Sequence, residues 1–303
     1  MLHPKVLPAL THSRLLPPNQ NYAYFSGASA FPFPCAEAEF DMRNAWWLAE
    51  ASLLSYADET FATQQWAGAG VVQVRAIRGP GTLCYVAVTD RFIIVAFRGA
   101  QLLRKGEGTT LPDVLEDWKT DAKVALVNCG VNGTVHQGFT MALDEVWWGR
   151  HQWPGLKAYL DSLTAGQAWR SLWFTGHGLG AALATLAASR YGQAAGLYTF
   201  GSPHVGDLEF AKSFRMPVYR FVNASDMVPS FLATFGRFEH VGVLKSIRSD
   251  GSIVDGPARD WRLGDRVRKL LAGRSHGIES FADHAPLSYA IRLWNACLQT
   301  SPR

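Results

Sequence analysis

Residues 174–188, FTGHGLGAALATLAA, constrain the fold more than any other stretch of the chain. Leu172, Trp173 and Phe174 make an apolar strand end, residues 176–180 spell G-H-G-L-G, and an Ala/Leu-rich helix is expected over about residues 179–190, stopped at Gly192. Strand, sharp turn and helix in that order is the setting in which a G-x-S-x-G motif presents a nucleophilic serine. Its small flanking residues let strand and helix approach closely. Here the central residue is Gly178. A dinucleotide-binding reading of the same glycines lacks the third spaced glycine and an acidic residue about twenty positions on. An ordinary glycine-rich turn is the plainer alternative, and the rest of the chain weighs against it.

Composition matters here for what it excludes. The 303 residues are 48% hydrophobic, enough for one large α/β domain. Lys and Arg number 29 against 25 Asp and Glu, a net +4 that is too small and dispersed for a nucleic-acid surface and leaves room for mild affinity to anionic lipid. Pro4, Pro8, Pro17 and Pro18 interrupt the apolar residues at the start, so no secretory signal is recognisable and a soluble protein is expected, its compartment left open. No run reaches the roughly 20 apolar residues of a membrane-spanning helix. Cys35, Cys84, Cys129 and Cys297 are scattered, without metal or redox spacing, and read as buried free thiols, a disulfide between two of them left open; no metal or cofactor is expected for the chemistry read below.

Residues 1–38 read as an extended N-terminal arm and 39–303 as a single domain. Asp41 is placed to cap a broad apolar helix, and β-rich runs follow at residues 71–77, 83–88 and 92–97, the last two joined as a hairpin. The third run ends in Phe97-Arg98-Gly99-Ala100. Residues 101–117 then form a loop carrying a short amphipathic helix, with Leu111, Val114, Leu115 and Trp118 at i, i+3, i+4 and i+7, either packed as core or covering a site. Val135-His136-Gln137-Gly138-Phe139 opens a helix expected to reach about Gln152, and 155–163 is helical. After the central turn come a strand at 196–200, a helix over 208–214 and a strand at 218–222, the last leading to Asp226. A hairpin over 238–247 and 252–254, a basic stretch from Arg262 to Arg274 and an amphipathic helix over 286–297 complete the chain. Strand alternating with helix suits a doubly wound α/β sheet. The basic stretch reads first as a solvated face and, more sharply, as a lipid-headgroup contact.

Acyl transfer by a hydroxyl requires an imidazole to take its proton, a carboxylate to hold that imidazole and two N–H groups for the oxyanion. Positions 178, 226 and 284 follow the order nucleophile, Asp, His. The amides of Leu179 and Ala100 are the matching oxyanion donors. Asp207 and Asp121 compete with Asp226, and His240 and His276 with His284. The V-N-x-x-D-x-V-P and D-H-x-P-x-x-Y contexts favour Asp226 and His284, whereas His136 and His177 read as structural hydrogen-bonding residues.

Seven ordered motifs, VAFRGA, EDWKTDAKV, VHQGF, TGHGLGAALATLAA, YTFGSPHVGD, FVNASDMVP and DHAPLSY, closely resemble the class 3 lipases, the family of the filamentous-fungal triacylglycerol lipases. The resemblance covers about residues 45–293. It implies an α/β-hydrolase fold with a mostly parallel central sheet flanked by helices, a Ser-His-Asp mechanism on carboxylic esters, and a lid over 101–117 with Leu111, Val114 and Leu115 as its apolar face. It further implies a lipid or other ester as substrate and transient contact with a lipid–water interface. Two departures stand out: Ala100 replaces the family's Ser or Thr after F-R-G, and Gly178 replaces the serine. A binding protein released from catalysis has no reason to keep Asp226, His284 and the oxyanion loops together. Gly178 is therefore expected to be an inactivating replacement in a lipase. The alternatives are a natural lipid-binding pseudoenzyme and, among enzymes, a phospholipase A1 or an aryl-ester esterase.

Overall fold

The computed structural model describes residues 2–8, 17–36, 39–100, 125–149, 153–166, 170–223, 226–230, 237–257 and 282–300. Two helices, α1 (Met42–Leu54) and α2 (Glu59–Gly68), precede strands β1 (Gln73–Arg78), β2 (Leu83–Val88) and β3 (Phe92–Phe97). Short strands β4 (Leu126–Val127) and β5 (Val135–His136) lead into helices α3 (Gln137–Trp147) and α4 (Gly155–Thr164). Then come β6 (Ser171–His177), α5 (Leu179–Tyr191), β7 (Gly196–Phe200), α6 (Leu208–Lys212), β8 (Val218–Asn223), β9 (Val243–Ile247), β10 (Ile253–Asp255) and α7 (Pro286–Thr300).

Eight strands form one sheet in the order β1-β2-β3-β6-β7-β8-β9-β10. From β3 to β9 the neighbours run parallel, and antiparallel pairs extend the sheet at both edges. The central strands are near-continuous apolar runs because both faces are covered. Ile94, Trp173 and Tyr198 join one core with Trp46 and Leu53 of α1 and Ile291 and Trp294 of α7. Val95, Phe174 and Leu197, one residue out of phase, join the other with Leu143 of α3, Leu160 of α4 and Leu183 of α5.

The strand order of the parallel set does not reverse, which corrects the doubly wound expectation. Reversal requires a new parallel strand on the far side of β3, and antiparallel β2 already occupies that side. All crossovers therefore step the same way, and their right-handedness puts α3 to α6 on one face. The opposite face is closed by α1 and α7, from distant parts of the chain.

Local departures from the sequence pattern have simple causes. Helix α2, capped by Asp58 through Phe61 N–H at 2.9 Å, buries only Ala62 and Trp66 and so shows no apolar stripe to read. Helix α3 stops at Trp147, short of Gln152, because Trp148 takes an extended conformation. Strand β9 starts at Val243 rather than near Phe238, directly after Gly242, whose φ of +81° bends the chain. Among the described residues, Cys35, Cys84, Cys129 and Cys297 form no disulfide.

Candidate active site

Strand β6 ends at His177 and α5 begins at Leu179, so Gly178 alone makes the turn, at φ 57° and ψ −121°. Only a residue without Cβ is relaxed there. A Cβ on Gly176 would run into the Gly180 carbonyl, and one on Gly180 into the Phe97 carbonyl. The end of β3 is thus pressed against the start of α5, with the backbone of Phe97, Arg98 and Gly99 lying against Gly180. As the first residue of an uncapped helix, Leu179 has no preceding-turn carbonyl for its N–H.

The imidazole comes from the residue pair just before α7. A Cβ at position 178 would stand 3.3 Å from His284 Nε2. On the other side of that ring, Nδ1 lies 2.9 and 3.0 Å from the two oxygens of Asp226. Asp226 sits on the loop after β8, where its Oδ1 accepts from Val228 N–H at 3.0 Å and its Oδ2 from the Tyr289 hydroxyl at 2.6 Å. Both Asp226 and His284 are buried. Tyr289 stays protonated: burial pushes its phenol well up and the Asp226 charge adds to the effect. Its oxygen in turn accepts from Asn223 N–H at 3.0 Å, while Asn223 Nδ2 donates to the Asp283 carbonyl at 3.0 Å. The loop after β8 and the start of α7 are tied together twice.

A second chain of hydrogen bonds runs behind the turn. His177 Nε2 lies 2.6 Å from the His284 carbonyl, an acceptor only, so that nitrogen carries the proton. Its Nδ1 then accepts from the Tyr56 hydroxyl at 2.9 Å, and the Gly99 amide donates to Tyr56. The ring is neutral, since burial and then the neighbouring His284 hold it well below the usual imidazole range. The backbone after β3 is thereby connected through Tyr56 and His177 to the main chain of His284.

The competing acids and imidazoles are committed elsewhere. Asp207 caps α6 through Phe210 N–H at 2.8 Å and accepts from Thr134 N–H at 2.9 Å. His136 caps α3 through Phe139 N–H at 3.3 Å. His240 stacks on His204 with ring centroids 3.6 Å apart, and each bonds the Pro229 carbonyl on the Asp226 loop. Asp121, His276, Leu111, Val114, Leu115, Trp118, the 101–117 segment and the basic stretch from Arg262 to Arg274 lie outside the described residues. Tyr56 and Tyr289 carry much of the network, and the sequence reasoning singles out neither. The Tyr of D-H-x-P-x-x-Y is the available signal for Tyr289; Tyr56, far from every motif, offers none.

Chemically, the arrangement offers an imidazole whose Nδ1–H is held by a carboxylate and whose Nε2 lone pair faces position 178. Among the described residues no group bonds that Nε2, and no three His, Cys, Asp or Glu side chains gather to hold a metal ion.

A family model described as lipase (class 3) matches residues 94–235. No curated protein matches the chain. Solved structures do, and they show the fold to be that of α/β-hydrolases. One is a triacylglycerol lipase whose catalytic centre is described as a serine protease triad, 23% identical over 83% of this chain and 99% of its own, with a TM-score of 0.58. Another is a deletion mutant of the Rhizomucor miehei lipase in a propeptide complex. It is 21% identical, over 93% of this chain and 100% of that one, with a TM-score of 0.57. A third is the lipase of Rhizopus microsporus var. chinensis, 20% identical over 84% and 91%, with a TM-score of 0.54.

Proposed function

We propose that the chain is a class 3 lipase in architecture, built to hydrolyse carboxylic esters, acylglycerols first among them, and held inactive by glycine at the nucleophile position. One observation carries the reading: a Cβ placed on Gly178 would stand 3.3 Å from His284 Nε2. A serine Cβ there sets its Oγ within hydrogen-bond reach of that nitrogen. In the serine form Nε2 takes the Oγ proton as the hydroxyl adds to the ester carbonyl. Asp226 stabilises the imidazolium, and the amides of Leu179 and Ala100 receive the oxyanion. The imidazolium then protonates the leaving alcohol, and water repeats the sequence on the acyl-enzyme. With glycine the first of these bonds has no oxygen to form it.

Gly178→Ser is therefore expected to create ester hydrolysis. Loss of the nucleophile alone in a well-studied serine protease costs on the order of a million-fold in turnover, and the gain here is of that kind. The assay is initial rates on short and long p-nitrophenyl esters and on emulsified triacylglycerol, with folding followed by circular dichroism. Gly178 itself favours a second reading, a natural pseudoenzyme that binds lipid without cleaving it. A folded Gly178→Ser protein that cleaves none of these esters would decide for that reading.

A further inference from the structure

A triad without its nucleophile is still a base beside an oxyanion site. The base is formed by His284 and Asp226, and the donors by the start of α5 and the chain after β3. These are the parts that carbon-acid chemistry requires: a base above the carbon next to a carbonyl, and hydrogen-bond donors where the enolate oxygen forms. In a serine form the hydroxyl stands between imidazole and substrate and takes the Nε2 hydrogen bond. Glycine removes that screen. The imidazole is nine-tenths buried, with Nδ1 fixed on the carboxylate and Nε2 bonded to no described group, so its lone pair is directed at whatever lies over Gly178.

We infer that the chain as it stands, with glycine at 178, catalyses proton abstraction at the carbon α to the carbonyl of apolar ketones and thioesters. This rests on the ester-hydrolase reading of the site. His284 Nε2 takes the α-proton. The C–H pair becomes the C=C of the enolate, and the C=O π pair moves onto oxygen, where the amides of Leu179 and Ala100 receive it. Asp226 balances the imidazolium, whose Nε2 proton exchanges with solvent before the ring returns a proton, or in heavy water a deuteron, to the carbon. The net change is isotope exchange, or loss of configuration where the carbon is stereogenic. Nothing is oxidised or reduced, and no co-reactant is consumed. Hydrogen bonds to Asp226 from Tyr289 and Val228 hold the carboxylate aligned on the imidazole through the cycle.

The test uses phenylacetone in deuterated buffer, with deuterium uptake at the α-carbon followed by NMR. A ketone cannot acylate a serine, so exchange and hydrolysis are read separately. The Gly178 protein should exchange the probe about a hundredfold faster than His284→Gln, the span a positioned general base contributes. Asp226→Asn, of nearly the same shape, should also be slowed, and Gly178→Ser should exchange more slowly than the glycine form. Near-ultraviolet circular dichroism checks that each variant is folded, and either of the first two suffices as control. Exchange by the Gly178 protein no faster than by the folded His284→Gln or Asp226→Asn protein overturns the inference. If Gly178→Ser meanwhile hydrolyses esters in a His284-dependent way, the hydrolase reading stands and only the enolisation falls. If neither exchange nor hydrolysis appears, both fall.

Discussion

At position 178 two energetic effects of glycine oppose each other. Its φ of 57° with ψ −121° is a backbone region that costs a residue with a Cβ about 1–3 kcal/mol. Glycine is spared that strain but loses roughly 0.5–1 kcal/mol more backbone entropy on folding. A Cβ would meet His284 Nε2 at 3.3 Å, close enough that the ring must yield slightly unless the new hydroxyl bonds it. Strain is the larger effect, so Gly178→Ser should lower stability by about 0–2 kcal/mol while creating activity. Urea melts of the two forms at one pH measure the difference, and a clearly more stable serine form would mean that the turn is not strained. Gly201 is under a different constraint: at φ 58° its Cβ would lie 2.6 Å from Asp226 Oδ2 and 3.0 Å from His284 Nδ1. Any side chain there would push carboxylate and imidazole apart.

Between elements, the most exposed dependence is that of α1 on the segment at residues 2–8. Glu50 of α1 is fully buried and accepts from Trp46 Nε1 at 2.9 Å and the Tyr22 hydroxyl at 2.7 Å, with Lys5 Nζ 3.3 Å away. Lys5 is held in place by a reciprocal pair of bonds with Asn295 of α7, at 2.8 and 2.9 Å. Burial lowers the Lys5 ammonium from its ordinary range and the Glu50 charge opposes that change. Removing one partner of a buried pair leaves an uncompensated charge, at a cost of about 3–5 kcal/mol. Lys5→Met should therefore destabilise by about 3 kcal/mol, and Lys5→Met with Glu50→Gln should recover most of the loss. Guanidinium melts of the four members of this cycle provide the check; additive losses would show that the two groups are not coupled.

For the molecule as a whole, buried neutral imidazoles set the acid limit. Burial, then Arg220, brings His204 down to about 4, and burial keeps His177 and His240 well below the ordinary imidazole value of 6.5. Because these folded-state values lie below the unfolded ones, the unfolded chain binds more protons as pH drops below 6.5. Their contribution to stability is complete above pH 6.5 and is lost progressively as pH falls toward 4. A tenfold difference in proton affinity between the folded and unfolded chain corresponds to about 1.4 kcal/mol, so stability should drop by about 2 kcal/mol or more between pH 7.5 and 5, before most carboxylates titrate. Urea midpoints across that range test it, and His204→Asn should flatten part of the slope. A pH-independent midpoint would show these rings to be solvated in the folded state.

The turn at Gly178, the strand-helix alternation and the order of positions 178, 226 and 284 are legible in the sequence, because each depends on local chemistry. Small residues mark close backbone approach, period-2 and period-3.6 patterns mark covered faces, and V-N-x-x-D and D-H-x-P mark the ends of elements. The non-reversing strand order is not legible, since it depends on which side of β3 is already taken by β2. Nor is the part played by Tyr56, whose hydroxyl bonds a partner 121 residues away; the D-H-x-P-x-x-Y motif marks Tyr289 but not its bond to Asp226, 63 residues back. The near-contact of position 178 with His284 also belongs to the tertiary structure. It exists only because α7 packs beside α1 on one face of the sheet and sets the imidazole above a turn more than a hundred residues earlier in the chain.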